Sequence, residues 1–297
     1  MRTKTYVNVL NWFKAMLFVA PALFFYIMFS TVPVINTIQI SFHEWNGASP
    51  TMDFVGFANY ADILTDPSFW AVFTNNIYWI LFTVFVPVFT GLILAVILSQ
   101  HFIRFRLLFR VVFYMPAVIS LVVVGIIWRW IYNPVFGILT RILESIGLGM
   151  FAVDWLGDER FALLSVMFAN SWTYYGFCMV IFFAALSGID ESYNEAARIE
   201  GANPVQIFFR VTLPLLKNTV TLLVLHSLIG SFRVFDIIFV MTRGGPFRST
   251  EVIASLMYRT AFNFHEFGKA SAIAVTLSIV IAICSLTYLR LAERGDD

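Results

Sequence analysis

Charge is scarce in this chain, and that scarcity excludes most ways of building a soluble protein. Only 12% of its 297 residues are charged, while 60% are hydrophobic and 18% aromatic; soluble globular domains carry about 25% charged residues. With 19 Lys and Arg against 18 Asp and Glu the formal charge is +1, so the chain has neither the basic field that gathers nucleic acid nor an acidic one. Cysteine is almost missing: Cys178 and Cys284 are the only two, both within apolar runs, where they read as small hydrophobes rather than as a disulfide or metal pair. No Gly-x-x-x-x-Gly-Lys-Ser/Thr phosphate loop occurs, since Gly268-Lys269 is followed by Ala270, so an energy source has to come from another chain. Gly147-x-Gly149-x-x-Ala152 imitates a dinucleotide fingerprint but lacks the strand that must precede it. His43-Glu44 has Gly47, and His265-Glu266 has Lys269, where a zinc-protease motif needs its second His. No catalytic centre emerges, and neither a metal nor a cofactor is expected on this chain.

Apolar length is what the chain has in abundance. Uncharged apolar runs long enough to cross a bilayer, roughly 18 residues or more, fall at 15–34, 69–98, 111–128, 161–186 and 270–289. A further run at 219–240 carries His226, Arg233 and Asp236. The expectation is an all-α integral membrane protein: six transmembrane helices forming one domain over 1–297. The first run follows Arg2, Lys4 and Lys14, but it exceeds the apolar core of a signal peptide and lacks a small-x-small cleavage site, so it reads as a retained helix. With the N-terminus inside, the cytoplasmic segments hold 11 Lys and Arg in 66 residues, against 7 in 95 residues on the other side. That bias favours cytoplasmic N- and C-termini. Repeated aromatics such as Phe24-Phe25-Tyr26 and Phe182-Phe183 suit lipid contact and core, and Trp70, Trp128 and Trp130 suit interface belts.

The cytoplasmic segment 187–218 is punctuated too carefully for a passive loop. Asp190 can cap a short helix through Glu191, Glu195, Ala196 and Ala197, and Gly201 can end it in a left-handed conformation. Asn203-Pro204-Val205-Gln206 then supplies a cap, a proline at the first helical position and a glutamine three residues after the cap, which is a near-complete capping box. Ile207, Phe208 and Val211 share one face until Pro214 kinks or ends the helix. From pattern alone this element either lies on the membrane surface, stabilising its own ends, or serves as a contact for another protein.

The spelling of that segment, Glu195-Ala196-Ala197 with Gly201 and then Leu213-Pro214, resembles the EAA loop of the permease subunits of binding-protein-dependent ABC importers. Phe54-Val-Gly-Phe-Ala-Asn-Tyr60, Trp128-Arg-Trp-Ile-Tyr-Asn-Pro134, Phe235-Asp236 and Thr242-Arg-Gly-Gly-Pro246 extend the resemblance over nearly the whole chain. Together they are similar to the maltose and multiple-sugar branch of the type I importers. Glu200 stands where the family more often has Asp, keeping the charge, and Asn218 where Pro is common, leaving the helix start less rigid. The resemblance implies the type I permease fold with a cytoplasmic coupling helix. It assigns Glu195, Ala196, Ala197, Glu200, Gly201, Ala202, Pro204, Phe208 and Pro214 to the contact with an ATP-hydrolysing subunit. It further implies a second related permease, two ATPase subunits carrying ATP and Mg, an extracytoplasmic solute-binding protein and a bacterial inner-membrane location. The function it implies is carbohydrate import by alternating access. A glycerol-phosphate ester within the family, and an ATP-independent channel or a membrane enzyme outside it, are the alternatives.

One polar cluster in the hydrocarbon needs a reason, because a central Arg or Asp opposes insertion by roughly 2.5–3.5 kcal/mol. Arg233 and Asp236, three residues apart, would share a helix face, where they could pair with each other or line a solute pathway. Asn75, Asn76 and Asn170, with Ser171, could add hydrogen-bonding groups to a polyol route, or could simply fasten helices to one another.

Overall fold

A computed structural model describes residues 2–100 and 103–293; the expectation for the two termini falls in part on residues outside these. Apart from a hairpin of two two-residue strands, every regular element among the described residues is helical. Four helices are long and apolar enough to cross a membrane, Lys14–Ile40, Pro67–Ser99, Glu159–Ser187 and Phe267–Ala292. Two bent pairs, Arg106–Val118 with Leu121–Ile131 and Pro204–Leu215 with Lys217–Phe232, bring the number to six if each pair is one span. The protein is thus an all-α membrane protein whose spans are not all simple rods.

Two compact units divide the chain, Met1–Thr65 with Met257–Thr276, and Asp66–Leu256 with Leu277–Asp297. In the first, α1 (Arg2–Tyr26) passes through a π-helical turn (Ile27–Thr31) into α2 (Val32–Ile40). A hairpin of β1 (His43–Glu44) and β2 (Asp53–Phe54) pairs His43 with Phe54, and α3 (Ala58–Thr65) follows. Asn59 ties this corner together, its amide donating to the carbonyls of Ser41 and His43 at 3.0 Å each. The Trp45 and Phe267 rings meet at 5.8 Å, inclined by 58°, and the Trp45 carbonyl accepts from the Phe267 amide.

The second unit is built on α4 (Pro67–Ser99) and α8 (Glu159–Ser187), which make the most extensive helix pair in the protein. They meet closely because Gly91 has no side chain: a Cβ there would lie 2.6 Å from the Cβ of Cys178. Asp66 and Asp158 cap the two helices by accepting the amides of Ser68 and Arg160. The same unit also holds α5 (Arg106–Tyr114), α6 (Leu121–Ile131), α7 (Ile138–Ser145), α9 (Glu191–Ile199), α10 (Pro204–Ile207), α11 (Leu213–Leu215), α12 (Lys217–Phe232) and α13 (Asp236–Met241). The final helices, α14 (Ile253–Phe262) and α15 (Phe267–Glu293), each run across the boundary in sequence between the two units. One apolar cluster gathers Trp79, Val124, Val166, Ile237, Ile238 and Val252, and another gathers Val88, Leu92, Met179, Phe182, Leu216 and Leu223. Cys178 belongs to the second as a buried apolar residue.

Two of the expected spans are interrupted. The run 111–128 breaks where a 3₁₀ turn, Met115–Val118, passes into extended backbone at Ile119 and Ser120, and the flanking helices diverge by 100°. Pro116, which has no amide hydrogen to continue the ladder, sits in that turn. The run 219–240 ends as a helix at Phe232, and three residues intervene before α13.

Candidate functional site

The punctuated 187–218 segment folds as its residues dictate. Asp190 accepts the Ser192 amide at 2.9 Å and starts α9; these hydrogen bonds hold its carboxyl below the usual range. At the other end Gly201 adopts φ +83°, donates to the carbonyl of Arg198, and lets Ala202 donate to that of Ala197, each at 3.0 Å. Those two bonds form a Schellman motif, which turns the chain sharply out of α9. Asn203 and Gln206 then exchange reciprocal 2.9 Å bonds, a complete capping box, with Pro204 in the first turn of α10. Ahead of Pro214 the helix widens into a π turn, Phe208–Thr212, as expected where a proline ring crowds the preceding carbonyl. Pro214 lies in the short α11, and the 67° bend follows between Leu215 and Lys217, two residues beyond the proline at which the sequence suggests it. Glu195, Ala196, Glu200, Gly201, Pro204 and Pro214 are exposed, whereas Ala197, Ala202 and Phe208 are half-buried. Ile199 is 87% and Val205 65% exposed, apolar residues on either side of the Gly201 turn.

The second site is a cavity of about 450 Å³ in the second unit, within the range that holds a small solute. Its walls come from α4 (Trp79, Thr83), the Tyr114–Leu121 bend, α8 (Asn170, Thr173, Tyr174, Phe177) and the stretch from His226 to Asp236. On α8 and α12 the lining residues fall in sequence between members of the two apolar clusters. The Tyr174 and His226 rings stack almost parallel, 5.6 Å apart and 10° inclined, with the Tyr174 hydroxyl 2.9 Å from His226 Nδ1. Ser227 Oγ donates to the same hydroxyl at 3.1 Å, and Phe177 flanks the His226 ring at 5.3 Å. The result is a flat aromatic shelf with polar edges.

Arg233, Asp236 and Asn170 line this cavity together. The expectation that Arg233 and Asp236 share one helix face does not hold, however, and of the two roles left open for them the mutual pairing is not made. Arg233 closes α12, Phe235 departs from helical geometry at φ −144°, and Asp236 opens α13. No ion pair joins the two among the described residues. Each instead lies at a helix end whose dipole favours its charge, the cation at a C-terminus and the anion at an N-terminus. Asn75 and Asn76 do not reach the cavity. Asn76, fully buried, donates to the Ser231 carbonyl at 3.2 Å and accepts from the Ile253 amide at 2.8 Å. Asn75 donates to the Glu251 carbonyl at 2.9 Å and lines a separate pocket with Tyr78, Phe82 and Arg160. The Ser231 carbonyl, which a continuous helix would set against the Phe235 amide, accepts Asn76 beside the helix break. Sequence reasoning left Tyr174, Phe177 and Ser227 unassigned and noted His226 only as an exception in its run. The spacing of His226, Gly230 and Arg233, at i, i+4 and i+7 in an apolar helix, was the available signal.

Spans, shelf and punctuated loop define a polytopic membrane transport subunit, and the comparisons with known proteins narrow it further. Residues 87–294 match the family model described as the binding-protein-dependent transport system inner membrane component. The osmoprotective compounds uptake permease protein GgtC of Synechocystis is 38% identical, over 92% of this chain and 97% of its own. The lactose transport system permease protein LacF of Rhizobium radiobacter is 30% identical, over 98% and 97% respectively. A chain from the crystal structure of a bacterial ABC transporter that imports the acidic polysaccharide alginate has the same fold, with a TM-score of 0.85 over 99% of both chains at 21% identity. The chain belongs to the binding-protein-dependent transport system inner membrane component family. It is a multi-pass permease of an ABC importer, a transport subunit rather than an enzyme.

Proposed function

We propose that the cavity carries a carbohydrate or a closely related polyol, and that the 190–214 segment couples it to ATP hydrolysis on partner subunits. The observation that carries the first part is the Tyr174–His226 shelf with Asn170, Ser227, Arg233 and Asp236 around it. A sugar ring has an apolar C–H face that stacks on aromatic rings and an equator of hydroxyls that both donate and accept. Arg233, Asp236 and Asn170 make no hydrogen bond or ion pair through their side chains among the described residues, so they are available to such hydroxyls. With one fixed charge of each sign, the lining offers little excess attraction for the dianion of a glycerol-phosphate ester. The lactose transport permease to which the chain is similar supports a saccharide solute.

For the second part, the exposed Ile199 and Val205 flank a turn whose geometry is fixed by the Schellman motif and the capping box, a preorganised apolar contact for another chain. On this reading the complex contains a second permease, two ATPase subunits that bind ATP and Mg, and an extracytoplasmic solute-binding protein, with the N- and C-termini of this chain in the cytoplasm. Closure of the ATPases moves the segment and switches the cavity between inward and outward access.

Reconstitution of the complex in vesicles tests both parts. Uptake of a neutral saccharide should require ATP and should fall steeply in Tyr174→Ala, with assembly intact. ATP-independent flux would favour a channel, and selective uptake of a phosphate ester would overturn the carbohydrate reading.

A further inference from the structure

We infer that Gly230 sets the upper size of the solute that the cavity admits, an inference that rests on the cavity being the solute route. The other glycines inside α-helices of this unit have packing reasons. A Cβ on Gly91 would meet Cys178 and the Met179 backbone at 2.6–2.8 Å, one on Gly125 would meet Val240 at 2.9 Å, and one on Gly176 would collide with the Phe113 carbonyl. Gly230 has none. It lies within α12 without a positive φ, and a Cβ built on it meets no heavy atom within 4 Å. Neither backbone conformation nor helix contact therefore calls for glycine, and glycine in a helix is less stable than alanine.

What Gly230 faces is the cavity, of which it forms part of the wall. It stands one turn beyond His226 and three residues before Arg233, between the stacked shelf and the fixed charge. Any side chain at this position would project into space that a solute lying on the shelf could use, so the missing side chain is room for the solute. Size selection here is steric: methylenes placed in an occupied cavity exclude the largest occupants first.

The test uses the full reconstituted complex with glucose, lactose and the trisaccharide raffinose as probes. Relative to glucose, Gly230→Leu should lower raffinose uptake by roughly tenfold or more, and Gly230→Ala should give a smaller bias in the same direction. The Gly230→Ala complex should melt no lower than the parent. Equal uptake ratios in parent and Gly230→Leu would overturn the inference. So would a Gly230→Ala complex that melts lower and loses all three sugars equally, the pattern of a packing glycine. If the parent moves no saccharide at all, the carbohydrate reading fails and Gly230 is judged separately. In a Cys178→Ala, Cys284→Ala background, Gly230→Cys should then react with a small charged methanethiosulfonate faster than with a bulky maleimide. A thiol there that reacts with neither would overturn the cavity-facing role.

Discussion

Gly201 offers a graded perturbation of the turn between α9 and α10. Its φ of +83° is one that L residues seldom adopt, and no heavy atom lies within 4 Å of a Cβ built there. Gly201→Ala therefore meets conformational strain but no collision, about 1–2 kcal/mol for the left-handed backbone, offset by roughly 0.4–1 kcal/mol of unfolded-state entropy. The net local cost is about 1 kcal/mol. Gly201→Pro is different in kind. The ring fixes φ near −65°, so the turn cannot form, and the bond to the Arg198 carbonyl at 3.0 Å loses its donor. The companion bond from Ala202 to Ala197 depends on the same turn, so the cost rises to about 3 kcal/mol or more. The exit direction of α10 from α9 is lost with it. Cross-linking to the ATPase from a cysteine at Val205, together with uptake in vesicles, is the assay. Gly201→Ala should keep both with a loss below about tenfold, while Gly201→Pro inserts in the membrane but gives neither. Normal cross-linking and uptake in Gly201→Pro would refute the reasoning, as would an alanine variant as defective as the proline one.

Asn76→Leu should destabilise the chain strongly, because the Ser231 carbonyl and Ile253 amide both lose a partner at about 1–3 kcal/mol each when buried. Asn75→Ala, which removes one partly buried bond, should cost about 1 kcal/mol. Thermal melting of the two variants in nanodiscs checks the contrast, and equal losses would contradict it. Glu195→Lys reverses an exposed charge on α9 and should weaken co-purification of the ATPase subunits without changing the melting temperature. The Asp158 carboxyl is held at about 2, first by the Arg160 guanidinium that bonds to it. Because its folded value is depressed, its contribution is complete above the ordinary carboxylate range near pH 4 and disappears as pH falls through about 2. Asp158→Asn should therefore melt below the parent at neutral pH, with the gap closing over that interval; a gap independent of pH would exclude the ion pair as its cause.

What was legible in the sequence was local. The Asp190 cap, the left-handed Gly201 and the Asn203–Gln206 box involve neighbours within six residues, and their chemistry specifies their geometry whatever surrounds them. The six apolar runs were visible for a similar reason, since bilayer thickness is a length that composition can meet. Direction within a run was not. Pro116 was in view, but counting apolar residues does not register a turn. The break at Arg233–Phe235 has no glycine or proline within it to announce it, and the Asn76 bond beside it comes from 155 residues away in the chain. The aromatic shelf is likewise a tertiary product: Tyr174 and His226 stand 52 residues apart, and each alone is an ordinary residue of an apolar helix.

The bend before α12 makes that helix a crank. Leu216, only 1% exposed and packed within the second apolar cluster, sits at the elbow as a bearing, with the 190–215 segment on one arm and the cavity wall on the other. From Lys217 to Arg233 the helix rises about 24 Å at 1.5 Å per residue, so a tilt of about 10° at the elbow sweeps the Arg233 end through about 4 Å. A displacement of that size exceeds the reach of any hydrogen bond. On the proposed reading, modest angular work delivered at the 190–215 arm is therefore enough to make or release the grip on a solute some 20 Å away.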